Sequence, residues 1–173
     1  MEYFKNNGFS KIPAYGPLPV SVPGCVDGWF EMHEKFGSLN MKQILKPAIN
    51  YAENGFPVSE LVSYYLGISA KNFGKYPNFN ETYLINGFSP KKGQIFKNKD
   101  LANTLRIISV KGRSGFYEGE IAKIMSDFII DQGGFLSYED LKNHKSDWIQ
   151  PVSTNYRGYD LSLIHICRCR RAI

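Results

Sequence analysis

The sequence predicts an α+β chain in which helices dominate and strands are short. Apolar residues recur at i, i+3 and i+4 in five windows, near 24–36, 41–54, 60–73, 99–111 and 120–132, as amphipathic helices require. Glycines at 37, 55, 112 and 133 close four of those windows. Only the stretches near 82–97 and 149–159 carry strand and turn signals.

Taken in order, residues 1–21 hold Pro13, Pro17 and Pro19 with several Gly and Asn, and read as irregular. Val26, Trp29, Phe30, His33 and Phe36 then mark one helical face, with Gly37 expected in the left-handed conformation of a helix stop. Ile44, Leu45, Ala48, Ile49 and Ala52 mark a second helix. Pro47 lies inside it and predicts a kink or a fresh start there. Phe56-Pro57-Val58 reads as extended, and Ser59 as the cap of a third helix carrying Leu61, Val62, Tyr65 and Ile68. Residues 74–81 read as a loop. Thr82–Ile85 reads as a strand, and the turn signals Asn86-Gly87 and Lys92-Gly93 make 82–97 a loose hairpin or meander.

A fourth helix shows Leu101, Leu105 and Ile108 on one side, with Asn98 or Asp100 available to cap it. Phe116-Tyr117 reads as a single turn. The fifth helix carries Ile121, Ile124, Met125, Phe128 and Ile129, and Ser137 with Asp140 predicts a capped short helix to about Asn143. From Trp148 to Tyr159 the pattern turns to strand, broken near Pro151.

Composition narrows the function classes. The chain has 173 residues, 43% of them hydrophobic, and no apolar run near the roughly 18 residues that span a bilayer. The N-terminus shows no apolar core of a signal peptide. Net charge is +5, from 21 basic and 16 acidic residues, but Arg168, Arg170 and Arg171 account for three, leaving 18 against 16, or +2. No basic stripe with interleaved aromatics remains, which argues against a nucleic-acid partner. Lys91-Lys92 and Lys97-Asn98-Lys99 read as solvated faces.

Several segments together resemble the γ-glutamyltransferase (glutathione hydrolase) family. They are Pro23-Gly24, Gly28-Trp29, Leu45-Lys46-Pro47-Ala48-Ile49, Tyr51-Ala52-Glu53, Gly55-Phe56-Pro57-Val58, Asp100-Leu101-Ala102, Phe116-Tyr117-Glu118-Gly119-Glu120-Ile121-Ala122, Glu139-Asp140-Leu141 and Tyr156-Arg157-Gly158-Tyr159. Their order follows the family's larger subunit from about Gly16 to Tyr159. The resemblance implies an internal piece of that subunit over residues 1–160, mainly helices covering the αββα sandwich of an N-terminal-nucleophile hydrolase. It implies a parent enzyme that hydrolyses glutathione or transfers its γ-glutamyl group to water, amino acids or peptides. Other readings are a family member acting as an acylase on another amide, such as a β-lactam side chain, or a non-catalytic helical scaffold. Implied partners are γ-glutamyl compounds and the remainder of the self-cleaving precursor. Cofactors are none, and the compartment is left open, since family members are periplasmic, secreted, membrane-anchored or cytoplasmic.

In the family, the nucleophile is the first threonine of the smaller subunit, with its own α-amine as base. That position lies downstream of the Tyr-Arg-Gly-Tyr match, and the arginine that holds the substrate carboxylate lies before Gly16. Thr82, Thr104 and Thr154 are outside the nucleophile context, and Arg106, Arg113 and Arg157 do not match the binding arginine. The resemblance therefore places no catalytic, substrate-binding or metal residue on this chain, and the chain alone is expected to be inactive. Asp27, Glu31 and His33 form a possible acid/base set, but Asp27 in a first turn suits the helix dipole instead. Cys25 reads as a small buried residue rather than a nucleophile. Residues 161–173, LSLIHICRCRRAI, depart from the family pattern and resemble a translated sequencing adapter. Cys167, Cys169 and His165 offer too few ligands for a tetrahedral metal site.

Overall fold

A computed structural model describes residues 2–150 and 152–162. Residues 163–173, and with them His165, Cys167 and Cys169, lie outside the described residues, as does Pro151. The chain opens with a helix, α1 (Glu2–Asn6), where an irregular segment was expected. Its driving force is aromatic: Phe4 is buried and meets Phe9 and Phe135 edge-on, at 6.1 and 6.2 Å.

An extended segment leads to α2 (Cys25–Phe36) and α3 (Met41–Asn54). Gly37 ends α2 with φ −75° and ψ 135°, in an extended rather than a left-handed conformation. Glycine is needed there for a different reason: a Cβ would lie 2.4 Å from the His33 ring and 2.5 Å from its carbonyl oxygen. The start of α3 is a capping box, with the Asn40 side chain accepting from the Gln43 N–H and the Gln43 side chain accepting from the Asn40 N–H. Pro47 sits within α3, which runs on as one helix instead of restarting. The carbonyl one turn back, left without its donor, belongs to the solvent-exposed Gln43, so water can serve it.

Strand β1 (Phe56–Pro57) follows a glycine turn. Gly55 has φ 93°, and a Cβ there would lie 2.4 Å from the Ile95 side chain and 2.9 Å from the Phe96 carbonyl. Helix α4 (Glu60–Phe73) is capped by Ser59, as expected, yet none of its residues is buried. Next, α5 (Phe79–Tyr83) replaces the expected loop end and the strand Thr82–Ile85. Asn78, at φ 65°, opens it, and the Asn80 side chain donates back to the Gly74 carbonyl at 3.1 Å. What remains of the 82–97 meander is the Ile85–Phe88 bridge across Asn86-Gly87 and strand β2 (Ile95–Phe96). Strand β2 pairs antiparallel with β1, in the register Phe56–Phe96 and Pro57–Ile95, not with its own neighbours.

The second half holds α6 (Lys99–Lys111), capped by Asn98, then α7 (Ser114–Tyr117), α8 (Glu120–Asp131) and α9 (Tyr138–Lys142), the last with the expected Ser137–Asp140 box. Strands β3 (Ser153–Tyr156) and β4 (Tyr159–Ser162) form a hairpin turned by Arg157 and Gly158, both at positive φ. The expected strands near 149–159 thus begin later and run past Tyr159.

Helices α3 and α6 make the main helix pair, tied at their ends by the Asn98 N–H on the Ala52 carbonyl at 2.8 Å and by an Arg106–Glu53 ion pair. Val26, Leu45, Leu105, Ile108, Tyr117, Ala122, Leu136 and Leu141 form the core. The buried side of α8 is Ala122 and Ser126, small enough to let it close on α7. Its large residues Ile124 and Phe128 face outward. Leu141 is fully buried on a five-residue helix. Leu141→Ala should therefore cost about 2–5 kcal/mol in urea unfolding, whereas Leu61→Ala on the exposed α4 should cost less than about 1 kcal/mol.

Candidate functional site

Among the described residues lie a buried charge cluster and an apolar cleft that a site could use. The cluster is centred on Asp27, in the first turn of α2, with a side chain 3% exposed. One carboxylate oxygen accepts from Nε of Arg113, the residue between α6 and α7. The other accepts from the backbone N–H of Ser146, in the loop after α9. The Asp27 N–H donates to the Tyr117 hydroxyl at 3.1 Å, and that hydroxyl donates to the Pro23 carbonyl at 2.6 Å. Arg113 also donates to the His144 carbonyl and reaches Glu118 at 3.4 Å, and its guanidinium carbon lies 4.7 Å from the centre of the Tyr117 ring. The His144 ring stacks on the Tyr117 ring, with centroids 5.5 Å apart, and its Nε2 lies 4.0 Å from Asp27.

Burial opposes ionisation of Asp27, but the hydrogen bonds from Ser146 and Arg113 and the adjacent positive charge outweigh it and hold the carboxyl below its usual range. Burial pushes the Tyr117 hydroxyl up. A carboxylate whose folded pKa is lowered contributes stability that is complete above the ordinary aspartate range and is lost as pH falls through the lowered value.

This is a structural cluster. Both oxygens of Asp27 are engaged, and Arg113 spends its donors on Asp27, His144 and Glu118. Asp27 therefore does more than answer a helix dipole, and Arg113 is an ion-pair partner rather than a free loop residue. Glu31 and His33 do not join: Glu31 accepts from the Trp148 indole at 3.0 Å, and His33 Nε2 pairs with the Leu39 carbonyl at 2.6 Å. Cys25 is exposed and free, not buried. Of the threonines, Thr82 ends up on α5, Thr104 on α6 and Thr154 on β3. None is bonded to a base among the described residues. No group of three metal-ligating side chains occurs among them, and no helix is long and apolar enough to cross a membrane.

The cleft, of about 550 Å³, lies between α4–α5 and α8, with Phe73, Tyr76, Phe79, Tyr83, Met125 and Phe128 among its walls. It holds no carboxylate, imidazole or amine. Sequence periodicity marked the α8 residues as a helix face but carried no sign that they would border a cleft.

The helical layer just described, with its two-residue strand pair and its β3–β4 hairpin, is that of a fragment of an N-terminal-nucleophile hydrolase. The sequence model of the gamma-glutamyltranspeptidase family matches residues 1–166, so the chain belongs to that family. It is similar to the glutathione hydrolase-like YwrD proenzyme of Bacillus subtilis (strain 168), with 36% identity over 155 residues, 89% of this chain and 30% of that protein. The chain thus spans under a third of that relative's length. Among solved structures, it superposes on the gamma-glutamyltranspeptidase of Helicobacter pylori with a TM-score of 0.83 and 33% identity, over 88% of this chain and 44% of that one. The cephalosporin acylase of Bacillus halodurans gives 0.88 and 33%, over 93% and 31%.

Asp27→Asn, which leaves Arg113 only the longer, more exposed contact with Glu118, should cost about 1–3 kcal/mol in denaturant unfolding. The Asp27→Asn, Arg113→Met double variant should cost less than the sum of the singles, with a coupling of about 1 kcal/mol or more. Additive singles would contradict the ion pair. Asp27→Asn should reduce the loss of stability on acidification and leave the share that comes from Asp140, whose carboxyl the Ser137 hydrogen bonds also hold below its usual value.

Proposed function

We propose that this chain is part of a proenzyme that hydrolyses glutathione or transfers its γ-glutamyl group, and that residues 1–160 supply its helical shell rather than its chemistry. One observation supports this most: a family match across 1–166 coexists with no threonine or cysteine paired to a base among the described residues. The reaction would run through a threonine hydroxyl freed by self-cleavage, in sequence beyond the region matched here. Partners on this reading are γ-glutamyl compounds and the remaining polypeptide of the precursor.

An acylase acting on another amide is the second reading. It draws on the likeness to the cephalosporin acylase, which covers 93% of this chain. Residues 161–173 are proposed to be foreign to the parent protein, although the family match reaches 166. Native transcript encoding LSLIHICRCRRAI across that junction would refute this.

Two assays decide the function. The purified chain should not turn over a γ-glutamyl anilide; turnover abolished by a substitution in this chain would overturn its non-catalytic role. The full-length protein, recovered through the flanking genomic DNA, should release glutamate from glutathione and lose that activity when the first threonine of its smaller subunit becomes alanine. Preferred cleavage of a β-lactam side chain would establish the acylase reading instead.

A further inference from the structure

The sequence contains Asn-Gly-Phe three times, at 7–9, 54–56 and 86–88. Asn-Gly is the pair most open to spontaneous loss of the side-chain amide, because glycine leaves the following backbone nitrogen unhindered. The nitrogen of the glycine attacks Cγ of the asparagine and a C–N bond forms. The Cγ–Nδ2 bond breaks, and ammonia leaves with the proton taken from the attacking nitrogen. Water then opens the five-membered succinimide at either carbonyl, giving aspartate or isoaspartate. Solvent water is the only co-reactant, and nothing is oxidised or reduced. Since the same three residues recur, intrinsic reactivity is nearly matched, and the fold decides which pair reacts.

At the first two sites both reacting groups are tied. The Gly55 N–H donates to the Tyr51 carbonyl at 2.9 Å, at the end of α3, and the Asn54 amide donates to Asn50 at 2.7 Å. The Gly8 N–H donates to Lys5 at 3.1 Å, and the Asn7 amide to the Tyr3 carbonyl at 2.8 Å. The third pair differs. Asn86 and Gly87 are exposed at the tip of a two-residue turn, whose bonds run between Ile85 and Phe88, at 2.8 and 3.1 Å. Neither the Gly87 N–H nor the Asn86 amide has a partner among the described residues, and the space around Gly87 is open.

We propose that Asn86 is a self-modification site, converting to aspartate and isoaspartate ahead of Asn7 and Asn54. Isoaspartate inserts a methylene into the main chain between residues 86 and 87, so the Ile85–Phe88 pairing cannot persist. Just downstream, Ser89 lies against Gly67 of α4 and Pro90 is buried, and just upstream Tyr83 lines the apolar cleft. Conversion would therefore loosen the cleft's edge.

The test ages the full chain in mildly alkaline buffer, then digests it and follows each Asn-Gly-Phe peptide by the mass gain of amide-to-acid exchange and by enzymatic methyl labelling of isoaspartate. In native buffer, Asn86 should convert faster than each of the other two by on the order of tenfold, since their reaction must first break local hydrogen bonds. In concentrated urea the three rates should converge. Asn86→Gln should abolish conversion at its own peptide and leave the other two rates unchanged. Equal rates in native buffer, or faster conversion at Asn7 or Asn54, would overturn the proposal.

Discussion

A carboxylate buried to 3% exposure is tolerated only when its charge and both oxygens are matched, and the placement of four segments follows from matching Asp27. From the start of α2, Asp27 ties in the α6–α7 junction at Arg113, the loop after α9 at Ser146 and, through the Tyr117 hydroxyl, the extended segment at Pro23. These positions are far apart in sequence, 86 residues between Asp27 and Arg113 and 119 between Asp27 and Ser146. The cluster thus fixes long-range order that the helices, each formed locally, do not specify.

Apolar packing supplies the bulk of the attraction around that fixed point. Ala102 and Ala122 are fully buried where helices approach closely, and Ile108, Tyr117 and Leu141 fill the space between them. Tyr117 joins the two kinds of interaction: its ring is core, its hydroxyl is a relay, and Arg113 and His144 lie against its ring. The far side of the layer is different. No residue of α4 is buried, and α8 turns Ile124 and Phe128 toward the cleft.

The helices were legible in the sequence because their signals are local. The windows at 41–54, 60–73 and 99–111 coincide with α3, α4 and α6, and the caps Ser59, Asn98 and Ser137 act as their residue types suggest. Strands were less legible, since β2 finds its partner in Phe56–Pro57, nearly 40 residues earlier, and pairing at that distance leaves no local pattern. Gly37 was read correctly as a stop but for the wrong reason, a close contact with His33 that only coordinates reveal. Asp27 and Arg113, 86 residues apart, carry no mutual signal in one sequence, so the cluster is visible only in the folded chain.

The most direct measurement of this account is the titration of the Asp27 carboxyl carbon by NMR in the folded chain, identified by its absence from Asp27→Asn. The account predicts that Asp27 remains ionised below the ordinary aspartate value of 3.8, and that it takes up its proton together with loss of the Arg113 contact. A carboxyl that titrates at or above that value, with folding intact on both sides of the transition, would contradict it.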